Sequence, residues 1–162
     1  EVFSESLYTE LDFRNEALNA LRMGEVIAEN GLGSRIAVQE PLPELATRRV
    51  MASRWVEGVR IADLPEGELR AVVAAGQEAF LVQLLEAGFL HGDPHPGNLL
   101  LVSGGPDRGK LCLLDFGLVA EIPPEPRRLF VEAIVHLGTR NWEAFVGDLV
   151  ALQFLSPRED RA

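Results

Sequence analysis

The sequence predicts an α+β chain, and three observations carry that expectation. Residues 66–87 place apolar side chains at helical spacing over some six turns. Two pairs of short apolar or β-branched runs are each joined by a turn-rich link, as in hairpins. The order is helix, hairpin, helix, loop, hairpin, helices, so the elements come in blocks rather than in strict alternation.

Taken in order, Ser4 is a capping residue for a helix from about Glu5 to Asn30, with Leu7, Leu11, Leu18, Leu21 and Val26 as a loose apolar stripe. Asn30-Gly31-Leu32-Gly33 closes it. Arg35–Glu40 and Arg48–Trp55 read as strands around the Pro41–Pro43 turn, and Val56-Glu57-Gly58 as a break. The helix Glu66–Ala87 follows, with Val73, Gln77, Phe80, Leu81, Leu84 and Leu85 on its apolar face. Gly88 ends it, and Pro94 and Pro96 impose a rigid loop. Leu99–Val102 and Lys110–Leu114 are apolar strands joined by Ser103–Gly109. Two amphipathic helices, Glu125–Leu137 and Trp142–Leu152, complete the chain.

Composition bounds the function. With 47% apolar and 25% charged residues in 162, the chain can bury a core. Its net charge of -10 argues against binding a nucleic-acid backbone, which needs a basic face. A nucleotide differs, because a metal ion brings its own positive charge. The single cysteine, Cys112, excludes an internal disulfide framework and reads as a packed strand residue. No stretch approaches the roughly 20 apolar residues of a membrane helix. The chain opens at Glu1 with no initiator Met, as a piece of a longer protein would.

The chemistry concentrates in two places. Phosphoryl transfer needs a carboxylate at the acceptor hydroxyl, and an amide oxygen with a second carboxylate to hold metal on the phosphates. Protein kinases place the first two in the loop H-R-D-x-x-x-x-N. Here Asp93 and Asn98 have that spacing, and His91 stands two residues before Asp93. The apolar run Leu113-Leu114 then delivers Asp115-Phe116-Gly117, where Gly117 lets the backbone turn unobstructed. Asp93 is the expected catalytic group, Asn98 and Asp115 the magnesium ligands, and His91 a structural support. A metal cluster of His91, Asp93 and His95 is the competing reading of the same loop.

Leu90-His91-Gly92-Asp93-Pro94-His95-Pro96-Gly97-Asn98-Leu99, followed by Leu113–Val119, resembles the UbiB or ADCK family of atypical kinases. So does Glu10–Ala20, at the other end of the chain and in the family's order. The resemblance implies a protein-kinase-like fold, with residues 1–57 a partial N-lobe (a helix like kinase αC, and a hairpin) and residues 58–162 the core of the C-lobe. It implies that Glu16 pairs with a nucleotide-binding lysine, that Glu10 and Asp12 form the family's Glu-x-Asp element, and that Trp55-Val56-Glu57 is the hinge at the adenine. Asp12 and Glu16, four apart on one helical face, would repel unless a lysine or metal sat between them. A solvated acidic face with a Glu10–Arg14 pair is the plainer alternative.

The same resemblance implies ATP and magnesium, a membrane surface, a link to isoprenoid-quinone or lipid metabolism, and a chloroplast, mitochondrion or bacterial cell. The family's lysine strand, Ala-rich nucleotide loop and Lys-x-Gly-Gln extension have no counterpart here, so the piece alone should bind nucleotide poorly. Gly92 stands where many members carry a slightly larger residue. Two other classes compete: an aminoglycoside- or choline-phosphotransferase-like kinase, and a non-catalytic pseudokinase scaffold. Arg127, Arg128 and Arg140 read as solvated surface rather than a lipid-headgroup site.

Overall fold

This computed structural model describes residues 12–156, and among them Asp12 opens the first helix. Its backbone is extended (φ −118°, ψ 100°), and its side chain accepts from the Arg14 backbone N–H. A short carboxylate that satisfies an unpaired N–H of the first turn is a natural N-cap. Helix α1 therefore spans Phe13–Glu29, and a helix running unbroken from Glu5 through Asp12 is corrected. Ser4 and Glu10 lie outside the described residues.

The buried stripe of α1 is Ala17, Ala20, Met23, Val26 and Ile27, while Leu18 and Leu21 of the expected stripe face solvent. Two alanines at the contact let the helix approach the sheet closely, which the larger leucines would prevent.

Strand β1 is Ile36–Val38 and β2 is Gly58–Arg60. The expected strand Arg48–Trp55 does not form. Between residues 40 and 54 only an isolated bridge, Pro41 to Ser53, is made, flanked by Leu42 N–H to Ala52 O and Arg54 N–H to Glu40 O, both 2.8 Å. Pro41 and Pro43 lack the N–H that a longer ladder would use. Strands β4 (Leu99–Val102) and β5 (Leu111–Leu113) form the hairpin read from the sequence, and Lys110 pairs with Asp107 at its tip (2.7 Å). The sheet order is β1-β5-β4-β2, with β1 parallel to β5 and the other pairs antiparallel.

Helix α2 runs Glu66–Val82 and passes into a π-helical turn, Gln83–Ala87. Its inward residues are Val72, Ala79, Gln83 and Leu84; Val73, Phe80 and Leu81 of the expected face are about two-fifths exposed. Those three border a groove of about 590 Å³ between α2 and the hairpin, so the apolar stripe is wider than the buried one.

The π-turn ends at Gly88, whose left-handed backbone (φ 67°) closes a bond to Gln83 O (2.8 Å). It leads into β3 (Phe89–His91), which pairs antiparallel with β6 (Val119–Glu121). This ribbon is absent from the sequence reading, because three-residue strands are too short for an alternation to register.

Helices α3 (Pro124–Gly138) and α4 (Trp142–Ala151) match their expected ranges to within two residues and pack as a pair, with a His136 Nδ1 to Asp148 Oδ2 contact of 2.6 Å. Arg127 turns back to donate from Nη1 to Glu86 O (2.7 Å), and Arg128 lies 3.5 Å from Glu132.

The core joins Met23, Ile27, Ile36, Phe89, Leu111, Leu113 and Phe116 from α1, both sheets and the segment after β5. Cys112 is buried beside them, and burial pushes its thiol up to about 12, so it is inert at neutral pH. No helix among the described residues is long and apolar enough to cross a membrane.

Gly88 offers a direct check on the geometry between α2 and β3. An added Cβ would lie 2.7 Å from Ile122 O and 2.9 Å from the Arg127 guanidinium, at a φ that disfavours side chains. Gly88→Ala should cost about 1–3 kcal/mol in a urea-unfolding measurement.

Candidate active site

The loop between β3 and β4 is held by one buried imidazole. His91 donates from Nε2 to Leu114 O (2.8 Å), while its Nδ1 accepts from the Asp93 backbone N–H (3.1 Å). A carbonyl can only accept and an amide N–H can only donate, so these partners fix the neutral Nε2–H tautomer. The ring also packs on Phe116 with centroids 5.1 Å apart. Both nitrogens are thereby occupied inside the fold, which removes His91 from any metal cluster. Among the described residues no group of three or more His, Cys, Asp or Glu side chains converges as such a cluster.

From this anchor the loop turns tightly. His95 N–H donates to Asp93 O (2.8 Å), and Asn98 N–H to His95 O (2.9 Å). The Asn98 Nδ2 donates to Asp93 O (3.2 Å), which leaves Oδ1 as the acceptor end of that amide. Asn98 O accepts from Leu114 N–H (2.9 Å), so the loop and the end of β5 are bonded twice, once through His91 and once through Asn98. The Asp93 carboxylate is about half-exposed, with His95 Nε2 3.7 Å from its Oδ2. Gly92 sits where a Cβ would meet Leu118 Cγ at 2.8 Å and Leu118 O at 3.0 Å, so in this chain even alanine would displace Leu118.

Asp115 follows β5 with a left-handed backbone (φ 60°), unusual for a residue with a side chain. Gly117 N–H donates to its Oδ1 (3.2 Å), and a Cβ on Gly117 would crowd that oxygen at 3.3 Å. Phe116 is buried, and its carbonyl accepts from Asn19 Nδ2 of α1 (2.9 Å). Arg22, one turn further along, lies over the Phe89 ring (4.2 Å to the centroid) and pairs with Glu121 of β6. Helix α1 is thus fastened to the strand ends on which the site is built.

That docking brings Glu16 to Asp115. Burial, and then the Asp115 carboxylate, raise the Glu16 acid above its ordinary value, while a bond from the Phe116 backbone opposes the shift. The like charge facing Glu16 is therefore Asp115, and the expected repulsion from Asp12 is corrected. Asp12 turns to Arg14, with Oδ2 to Nη2 at 2.6 Å, and the Arg14 hydrogen bond holds its carboxyl down to about 2. Arg14 pairs with Asp12, and the alternative Glu10–Arg14 pair lies outside the described residues. Lys110 is the sole lysine of the sequence and is engaged with Asp107, so it does not serve Glu16.

The residues of the expected hinge stand apart from this cluster. Trp55 is 91% exposed. With Val56, Glu57, Val38 and Cys112 it borders a cavity of about 600 Å³. Glu57 O accepts from Ser103 N–H (2.8 Å), which ties this segment to the turn of the β4–β5 hairpin. Asp93, Asn98, Asp115 and Glu16 are together; Trp55, Val56 and Glu57 form a second region; Asp12 is a helix cap.

Asn98 Oδ1 and the Asp115 carboxylate are hard oxygen donors. Magnesium takes one or two protein oxygens and completes its shell with phosphate and water, so this sparse donor set fits it better than a caged metal.

A sheet carrying a His-x-Asp loop and an Asp-Phe-Gly end, with a helix glutamate docked against it, is the layout of a protein-kinase-like fold. A solved structure described as the Rv3197–erythromycin complex from Mycobacterium tuberculosis shares it, with a TM-score of 0.57 and 25% identity over 87% of this chain and 35% of that one. The chain belongs to the family described as the ABC1 atypical kinase-like domain, which it matches over residues 1–148. It is 39% identical to the Arabidopsis thaliana chloroplastic protein ACTIVITY OF BC1 COMPLEX KINASE 3, over 98% of this chain and 22% of that protein. It is 28% identical to a probable protein kinase UbiB of Vibrio atlanticus, over 86% of this chain and 26% of that protein. The chain thus spans about a quarter or less of the length of these curated relatives.

Sequence reasoning missed Gln83, Asn19 and Leu118, which support the site without carrying chemistry. A glutamine on the apolar face of α2, eight residues before His91, was the available signal for the first.

The raised Glu16 acid has a pH signature. The folded state holds that proton more tightly than the unfolded chain, so the group favours folding at acidic pH. That contribution is lost as pH rises through the ordinary glutamate value of 4.5 and on through the raised one. Glu16→Gln should therefore stabilise the metal-free chain at pH 7, with the gain shrinking toward pH 4, as read by urea unfolding at both.

Proposed function

We propose that this chain supplies the catalytic base and the metal-holding face of an ATP-dependent atypical kinase or ATPase. The observation that carries the reading is the double bonding of the Asp93–Asn98 loop to the Asp115 strand end through His91 and Asn98. Rigid placement of a carboxylate beside an amide–carboxylate pair is the main thing phosphoryl transfer asks of a protein.

In this reading Asp93 accepts the proton of the attacking hydroxyl or water. Its half-exposed carboxylate leaves room for an acceptor, and its backbone is pinned on both sides by His91 and Asn98. Asn98 and Asp115 hold magnesium, which when bound neutralises charge on the phosphates. Glu16 receives a lysine from another part of the longer protein, and that ammonium relieves the Glu16–Asp115 repulsion. Trp55, Val56 and Glu57 line the 600 Å³ cavity, roomy enough for an adenine ring. Residues 1–57 and 58–162 would then be parts of the N-lobe and C-lobe, with Glu10 and Asp12 contributing the Glu-x-Asp element.

Relatives named as chloroplastic support a chloroplast location, and the resemblance to UbiB-type kinases is the basis for proposing a role connected with quinones or lipids at a membrane surface.

The reading is tested on the full-length protein with two isosteric changes. Asp115→Asn should abolish magnesium-dependent ATP binding by calorimetry. Asp93→Asn should leave binding within about twofold and lower phosphate release by about a hundredfold or more. Unchanged turnover in both variants would refute the assignment.

A further inference from the structure

Four polar or charged residues are buried among the described residues: Gln83, His91, Asn98 and Asp148. Asp148 contacts His136 between α3 and α4, away from the loop. The other three form one continuous path. Gln83 Oε1 accepts from the His91 backbone N–H (2.9 Å); the His91 ring reaches Asp93 N and Leu114 O; Asn98 Nδ2 reaches Asp93 O.

The need for Gln83 arises from the register of the β3–β6 ribbon. Gly92 N–H bonds Leu118 O and Ile122 N–H bonds Gly88 O, so positions 88, 90 and 92 face the partner strand. In an antiparallel pair the intervening residues point their N–H groups away. The N–H of His91 therefore points out of the ribbon, in a residue 3% exposed, where no strand and little water can meet it. An unmet buried N–H is costly. The Gln83 amide oxygen supplies the missing acceptor. It does so from the first residue of the π-turn, whose own carbonyl also takes the Gly88 N–H and so fixes where the chain turns into β3. π-turns recur at functional sites, where the extra residue re-aims the chain beyond the turn.

We infer that Gln83 is a positioning residue of the candidate active site: by holding the His91 N–H it sets the ring that orients both the Asp93 loop and the Asp115 strand end. The inference rests on the kinase reading for its catalytic consequence, and on geometry alone for its structural one. Gln83 itself touches neither Asp93 nor a phosphate site, so nucleotide affinity should be nearly independent of it.

The test uses the full-length protein with Gln83→Met, which keeps length and loses the acceptor, and Gln83→Glu, which keeps an acceptor oxygen. Gln83→Asn, too short to reach, replaces the Met variant if that one fails to fold. Hydrogen exchange should speed up in residues 91–98 and 114–117 of Gln83→Met, with α3 and α4 unchanged. Its kcat for ATP turnover should fall about tenfold, equivalent to about 1.4 kcal/mol, while KM for ATP stays within about twofold. Gln83→Glu should recover both the exchange protection and most of kcat. Unchanged exchange at 91–98 in Gln83→Met, or a Gln83→Glu variant as impaired as the Met one, overturns the inference. Wild-type protein that turns over no ATP sinks the kinase reading while the exchange result still decides the role of Gln83.

Discussion

One imidazole carries the architecture of the candidate site. His91 is the point where the π-turn after α2, the β3–β6 ribbon and the end of β5 meet, and its backbone N–H and two ring nitrogens each have a different partner. With both ring nitrogens held in hydrogen bonds inside the fold, the imidazole is a rigid bracket between the loop and the strand end. Its packing against Phe116 adds a shape constraint to the hydrogen bonds, so the residue that precedes the loop and the residue after Asp115 are located together. Everything else in the site is placed relative to that bracket: Asp93 and Asn98 on one side, Asp115 and Gly117 on the other.

The electrostatics have the opposite character. Where the hydrogen bonding is complete, the charge is not: Glu16 and Asp115 face one another in a half-buried setting, and the Glu16 proton is held more tightly as a result. Such an arrangement is unfavourable for a free-standing fold, and in the proposed reading a lysine and magnesium would relieve it. A chain with 25 acidic and 15 basic side chains attracts them in general, and here the docking of a helix sets two carboxylates against each other. Asp12, which looked equivalent to Glu16 in the sequence, has its charge answered by Arg14 and is a helix cap. Being four residues apart told nothing about this, because Asp12 is not inside the helix.

The legible parts of the sequence were those with a local cause. The β4–β5 hairpin, the α3 and α4 ranges and the packed Cys112 all follow from pattern within a few residues, and the structure contains each. Other features depended on partners far away in the chain. The buried stripe of α1 uses Ala17 and Ala20 where leucines were the obvious candidates, because the face that docks on the core is chosen by distant partners rather than by the helix itself. Arg48–Trp55 has strand composition, but β1 finds its neighbour in β5 instead. The β3–β6 ribbon rests on two three-residue segments that carry no periodic signal of their own. In the site, the chemical residues stood out by type and spacing, whereas their supports, Gln83 and Asn19, are ordinary amides whose role exists only once the chain is folded.

The parallel pairing of β1 with β5 and the Asn19–Phe116 bond, which closes a separation of 97 residues, have a consequence for how the domain assembles. The bracket at His91 joins residues 23 apart and lies within the α2-to-β5 segment, whose contacts are comparatively local. Long-range closures carry a larger entropic barrier and slow the folding of the regions that depend on them. On contact order alone, the bracket at His91 closes over a shorter stretch of chain than the docking of α1 does. The hydrogen bonds among Gln83, His91, Asp93, Asn98 and Leu114 use no residue of α1, so the helix carboxylate and the rest of the site meet across a seam held by core packing and the Asn19–Phe116 bond.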